Sequence, residues 1–317
     1  MSVPDLHIPE NRIRESLWNH LQMLTEEIGD RSIYRYANLK RASKYISSVF
    51  ASMKYTPQFQ EFIFMGKDVE NIIVVGNLSN SYDKHYIVCA HYDTVAGTPG
   101  ADDNASGVAV LLELARLVKQ YDLLEQKTGW RFIAFTTEEP PAFCTPDMGS
   151  RVYAKKAKKS GEQIDGVICL EMVGYYTNTE KSQHFPFPLQ FLRYPTVGNF
   201  IGVVGNRYSK DLTNKVISAF KLNPRLPVES LTVPANGYLL PSVRLSDHSS
   251  FWDEGYKAVM LTDTAFYRNP YYHSPEDRLE TINLNAMVEL VKSLFYFIWN
   301  EATGISKYTN HATQKIR

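Results

Sequence analysis

The sequence predicts an α/β domain built on a mostly parallel sheet, and three observations carry that expectation. Short apolar runs of strand length at 86–90, 130–136, 167–170 and 257–261 alternate with amphipathic helical stretches. Polar groups follow each run: His91, the pair Glu138 and Glu139, Glu171 and, after a loop, His273. The stretch 85–107 shows the pattern best, passing from a buried strand through a Gly/Pro/Asp/Asn loop into a helical run at Val108, Leu111, Leu112 and Ala115. Open α/β sheets place their ligands at such strand ends.

Bulk properties narrow the field. The 317 residues suffice for one large domain with an ample core. Thirty-four basic and 34 acidic side chains balance to zero net charge, with no basic run to mark nucleic acid. No apolar stretch approaches the ~20 residues of a membrane helix, and the start lacks the basic-then-apolar order of a signal peptide. Cys89, Cys144 and Cys169 are odd in number and lack CxxC spacing, so they read as free thiols. A cytoplasmic location is the expectation.

In chain order, residues 9–29 carry Ile13, Leu17, Leu21 and Leu24 at helical spacing, and 38–54 repeat the pattern with Leu39, Ala42, Ile46 and Phe50. These helices are expected to cover one face of the sheet. The stretches 59–64 and 69–75 read as a hairpin leading to the 86–90 strand. Ser150 is a candidate N-cap for the following helix. The segment 177–208, rich in Pro and aromatics, has no clean period and reads as a functional insert. Phe185, Phe187, Phe191, Tyr194 and Phe200 are its candidates for lining a substrate pocket. A helix at 209–221, a strand at 228–233, a short helix capped by residues 246–248 and a long helix at 283–301 complete the chain. With no repeat or linker, residues 1–317 read as one catalytic domain with an N-terminal helical segment, 1–55.

Two imidazoles and three carboxylates delivered to one sheet edge suit divalent ions, zinc above all, and one carboxylate could bridge two of them. His7, His20, His85, His184 and His311 lack partners at ligand spacing and read as structural or surface residues.

At this point six motifs, in order, resemble the co-catalytic zinc exopeptidases, the relatives of bacterial leucyl aminopeptidase, aminopeptidase Y and glutamate carboxypeptidase. They are His91-Tyr-Asp93, Gly100-Ala-Asp102-Asp103-Asn-Ala-Ser-Gly107, Glu138-Glu139, Leu170-Glu171-Met172, Ser246-Asp247-His248 and Tyr272-His273-Ser-Pro-Glu-Asp277. The resemblance covers about residues 70 to 300. It implies a three-layer α/β/α fold with a central mixed, mostly parallel sheet, of the phosphorylase/hydrolase-like kind. It also implies two zinc ions per chain: His91 and Glu171 on one, Glu139 and His273 on the other, with Asp102 bridging. Glu138 would be the general base, and Asp93 would orient His91. Asp103 would be a further residue behind the ligands, or else a cap for the helix that follows. In this family the Asp102–Asp103 peptide is typically cis. Tyr272 is the candidate for oxyanion support, and Asp247 for a substrate or supporting role.

The implied activity is hydrolysis of a peptide bond by a metal-activated water, with an aminopeptidase as the leading reading. One departure bears on specificity: Glu171 stands where the aminopeptidases usually carry Asp, whereas carboxypeptidase and acylase relatives often have Glu. Two other readings fit the scaffold, a glutaminyl-cyclase-like acyltransferase and a catalytically silent binding module. The first uses a single zinc and lacks the His91 ligand; the second usually loses ligands or the base.

Overall fold

In the computed structural model, which describes residues 9–76, 84–123 and 128–304, eight strands form one mixed sheet. His7 and His311 lie outside the described residues. The strands are β1 (Gln58–Phe64), β2 (Lys67–Val75), β3 (Lys84–His91), β4 (Thr128–Phe135), β5 (Gly166–Leu170), β6 (Ile201–Asn206), β7 (Val228–Val233) and β8 (Ala258–Thr262), in the order β1-β2-β4-β3-β5-β8-β6-β7. The four central strands, β4, β3, β5 and β8, are mutually parallel. The pairs β1–β2, β2–β4 and β6–β8 are antiparallel. This is the mixed sheet expected.

Burial follows from position. β5 and β8 are buried at every residue, as strands covered on both faces must be, and this explains their unbroken apolar sequence. β1, at one edge, alternates exposed and buried residues over most of its length. Seven helices complete the layers: α1 (Glu10–Gln22), α2 (Tyr36–Ser52), α3 (Gly107–Gln120), α4 (Gly149–Lys159), α5 (Lys210–Phe220), α6 (His248–Asp253) and α7 (Leu284–Thr303). The core that includes α1, α2, α3, α5 and α7 fills one face, and a smaller one built on α4 and α6 fills the other. Helix α3 is buried along nearly its whole length because α1 and α7 pack over it. Helix α7 starts where the Asn283 side chain accepts from Ala286 N–H at 3.1 Å, and ends at Gly304 with φ +66°.

The expected β1–β2 hairpin forms and joins the sheet through β4, because β3 pairs with β4 and β5 on its two sides. Two expectations change. The end of the aromatic insert is β6, an internal strand whose run Ile201–Asn206 is buried throughout. Ser150 does not cap α4; it lies inside the helix, and its hydroxyl meets that of Ser250 at 2.9 Å. Among the described residues no helix is long and apolar enough to cross a membrane.

Candidate metal centre

The parallel run β4-β3-β5-β8 puts four carboxyl-terminal ends on one edge, and the predicted residues gather there. His91 is the last residue of β3, Glu171 directly follows β5, Glu138 and Glu139 follow β4 after a short turn, and His273 lies in the loop after β8. The backbone turns sharply at these points. Thr137, Met172 and His273 hold φ of +52°, +47° and +55°, conformations that non-glycine residues adopt at a cost and that concentrate at functional sites.

The centre of the cluster is Asp103. One of its oxygens is 3.3 Å from His91 Nε2 and the other 3.2 Å from His273 Nε2. Glu171 Oε1 lies 3.4 Å from His91 Nε2, and Glu139 Oε2 lies 3.4 Å from His273 Nε2. Three groups of potential ligands result: His91–Asp103–Glu171 and Asp103–Glu139–His273, joined through one carboxylate, and His91–Glu138–Glu139. Glu138 Oε2 stands 3.9 Å from His91 Nε2, too far for a hydrogen bond.

Asp102 therefore does not lie between the histidines, contrary to the sequence expectation. It is fully buried, and its two oxygens accept from Gly174 N–H and Asn269 Nδ2, each at 2.7 Å. The cis peptide is displaced by one residue in the same sense, to Asp103–Asn104. Asp103 does not cap α3 either, since α3 starts at Gly107. Asn104 takes that place, accepting from Gly107 N–H at 3.2 Å and donating to Leu170 O at 2.8 Å.

A layer of hydrogen bonds holds these groups. Asp93 has a carboxylate oxygen 3.6 Å from His91 Nδ1, while its carbonyl is 3.2 Å from the same nitrogen. That carboxylate also accepts from the N–H groups of Glu138 and Glu139 at 3.1 and 3.0 Å, so one side chain ties β3 to the acidic pair after β4. Ser246 Oγ donates to Glu171 Oε2 at 2.6 Å, so Ser246 is the member of its motif that touches the cluster. Asp247 is fully buried and is not part of the cavity wall described below, so no face is left for a substrate. His248, also fully buried, is held by Val243 O at 2.8 Å.

Arg31 escaped the sequence reading altogether. It comes from the segment between α1 and α2, is fully buried, and its guanidinium donates to main-chain carbonyls: Tyr92, Leu24, Gly29, Pro99 and Gly100. The N-terminal segment is thereby part of the scaffold under the loop that carries Asp103. Nothing in a lone Arg within a polar turn signals this.

Electrostatics describe a site short of positive charge. Burial raises Glu139 to about 8, helped by the neighbouring Asp103 carboxylate. Burial also raises Glu138 well above its ordinary range. Burial alone would lower both histidines, but Glu171 and Glu138 lift His91, and the Asp103 and Glu139 carboxylates lift His273 to about 10. Asp103 is lowered despite its burial, because a histidine faces each of its two oxygens. No arginine or lysine pairs with Asp103, Glu138, Glu139 or Glu171 among the described residues, and Asp103 Oδ1 and Glu139 Oε1 are buried without a hydrogen-bond partner. Buried carboxylates without cations are costly. Two imidazoles and three carboxylates sharing one bridge are a donor set that fits a pair of zinc ions.

Beside the centre lies a cavity with about 870 Å³ of empty space, counting its open mouth, which reaches from Glu171 and Tyr272 across β8 and β6 to β7. Phe185, Tyr194 and Phe200 line it, as expected. Phe187 and Phe191 do not; they pair edge to face on the surface and are 73% and 72% exposed. His184, exposed at the surface, also belongs to the wall, although it reads as a structural or surface residue in sequence. Tyr272 stacks on His273, with ring centroids 3.7 Å apart, and stands where the cavity meets the cluster.

Known proteins agree with this architecture. The chain is similar to YfbL, an uncharacterised protein of Escherichia coli, with 36% identity over 92% of this chain and 90% of that one. It is similar to the aminopeptidase YwaD of Bacillus subtilis, at 26% identity over 69% of this chain; that match spans only 42% of YwaD. Among solved structures, the LapA aminopeptidase of Legionella pneumophila superposes with a TM-score of 0.73 at 20% identity, over 94% of this chain and 74% of LapA. A zinc aminopeptidase from Bacillus subtilis superposes at 0.68 and 18% identity, over 91% of this chain and 94% of that one. At these identities the superpositions speak for the fold. The model of peptidase family M28 matches residues 71–298, which take in every cluster residue, and the chain belongs to that family.

Proposed function

We propose that this protein is a zinc-dependent aminopeptidase with two metal sites, His91–Asp103–Glu171 and Asp103–Glu139–His273. The observation that supports it most is Asp103, whose two oxygens face the two histidines at 3.3 and 3.2 Å. The whole of residues 1–317 is read as one catalytic domain, acting on the N-terminal residue of a peptide.

Zinc ions held there would lower the pKa of a water molecule and polarise the scissile carbonyl. The chain's own groups do the rest. Glu138 takes the water's proton on a carboxylate oxygen and passes it to the leaving amine nitrogen. Its position supports this role: it stands beside the ligands, grouped with His91 and Glu139 but outside the two groups that share Asp103, and its backbone is fixed by Asp93. Asp93 holds the His91 ring through Nδ1, leaving Nε2 for the metal. Ser246 holds Glu171 through Oε2, leaving Oε1 directed at the cluster. The Tyr272 hydroxyl, raised by burial and by the carboxylates around it, keeps its proton and serves as a donor to the developing oxyanion. The cavity beside Glu171 takes the side chain of the residue to be released.

The glutaminyl-cyclase reading lacks a specific observation in its favour, because the His91 position is filled and integrated. The deciding experiment is digestion of a peptide library by the zinc-loaded protein, reading by mass spectrometry which terminus shortens. Loss of N-terminal residues one at a time is expected. Trimming from the carboxyl terminus only, or pyroglutamate formation without hydrolysis, would overturn the assignment.

A further inference from the structure

The far wall of the cavity carries a carboxylate that the metal chemistry does not use. Gly202 of β6 pairs with Thr262 of β8 on one side and Glu229 of β7 on the other. Paired residues share a sheet face, and Thr262, Gly202 and Glu229 all line the cavity. Leu231, two residues along β7 and thus on the same face, lines it too. With no side chain, Gly202 leaves the path between Thr262 and Glu229 clear; a Cβ there would meet only Thr262 O at 3.3 Å and two methyl groups beyond.

Glu229 is partly buried, and among the described residues no side chain forms a hydrogen bond or ion pair with it. Burial alone raises its pKa. The nearby Tyr194 hydroxyl donates to Ser230 O at 2.9 Å, not to Glu229. No lysine or arginine lines the cavity, and its two carboxylates stand at opposite ends, Glu171 at the metal centre and Glu229 on β7. β7 lies three strands from β5, about 14 Å at the usual spacing. Much of the wall between is apolar, including Met260, Val204, Leu231 and Val243, with the Thr262 side chain among them.

An apolar channel ending in an unpaired anion matches one kind of side chain. From these features we infer that Glu229 makes the cavity a site for a long basic side chain, so that the enzyme releases N-terminal lysine or arginine in preference to leucine. The methylene stem lies along the apolar wall while the charged head meets Glu229. A leucine side chain stops short of Glu229 and leaves its carboxylate unpaired. This inference rests on the aminopeptidase reading, and its test is arranged so that the two can fail separately.

The zinc-loaded full chain is assayed on lysine, arginine, leucine and phenylalanine p-nitroanilides, as wild type and as Glu229→Gln. The expected result is a wild-type kcat/KM at least about tenfold higher on the basic pair than on leucine, falling by about tenfold relative to leucine in Glu229→Gln, mainly through KM. Because each figure is a ratio within one preparation, partial misfolding of the variant cancels. Preference for leucine or phenylalanine, or a ratio unmoved by the substitution, overturns the inference. If no anilide is cleaved, the aminopeptidase reading fails and calorimetry decides the pocket. Tighter binding of L-lysinamide than of L-leucinamide, lost in Glu229→Gln, sustains the site, and equal binding of the two overturns it.

Discussion

The backbone N–H of Asp103 donates to one oxygen of Asp277 at 3.0 Å. The adjacent N–H of Asp102 donates to the other oxygen at 2.8 Å. One carboxylate, four residues beyond His273, thus grips the backbone of both aspartates and sets which of them faces the histidines. Asp103 turns toward the ligands, and Asp102 turns back to Gly174 and Asn269.

Substitutions at the two aspartates should therefore behave differently. With Asp103 as the proposed bridge between two zinc sites, Asp103→Ala is expected to lose both ions. Asp102→Asn should retain most of its metal, since the amide keeps an acceptor for Gly174 N–H. Metal analysis after dialysis checks this. Equal zinc content in Asp103→Ala and wild type would contradict the bridging role.

Glu138→Gln would remove the proposed proton acceptor and keep the proposed metal ligands. Zinc content should stay at two per chain while kcat falls by about 10²-fold or more. A stoichiometry of one zinc in the wild type would instead favour the acyltransferase reading.

Zinc affinity should rise with pH. In the metal-free chain Glu139 and His273, raised to about 8 and about 10, hold protons at neutrality. Metal binding must displace those protons, so affinity increases as pH climbs toward each pKa and weakens as it falls. Competition with a chelator at pH 6 and pH 8, together with calorimetry in buffers of different ionisation heat, measures both the affinity change and the protons released. An affinity independent of pH would mean that the ligands are already deprotonated.

Gly100 sets the entry to the aspartate turn. It adopts φ +58°, and a Cβ would lie 2.3 Å from Asp103 O and 2.4 Å from a Thr94 methyl. Gly100→Ala should lower the melting temperature and weaken zinc binding together; the left-handed conformation alone costs about 1–2 kcal/mol. Thermal unfolding with and without zinc tests the link. A loss of stability with unchanged metal affinity would place the damage away from the site.

The sequence by itself determined much of this protein. Apolar runs that end in His91, Glu138-Glu139 and Glu171 located the sheet and its working edge, because strands buried on both faces have unbroken apolar sequence and parallel strands share one end. Only the tertiary structure decided between Asp102 and Asp103. Two identical residues adjacent in an irregular turn carry no period, and their backbone hydrogen bonds to Asp277, distant in sequence, set which one turns inward. The same holds for Arg31, whose acceptors are main-chain carbonyls that leave no trace in residue types. It holds also for Glu229, which faces the cavity because of the register of β7 on β6. Local pattern fixes elements and their ends, whereas long-range hydrogen bonding and register fix the direction of each side chain.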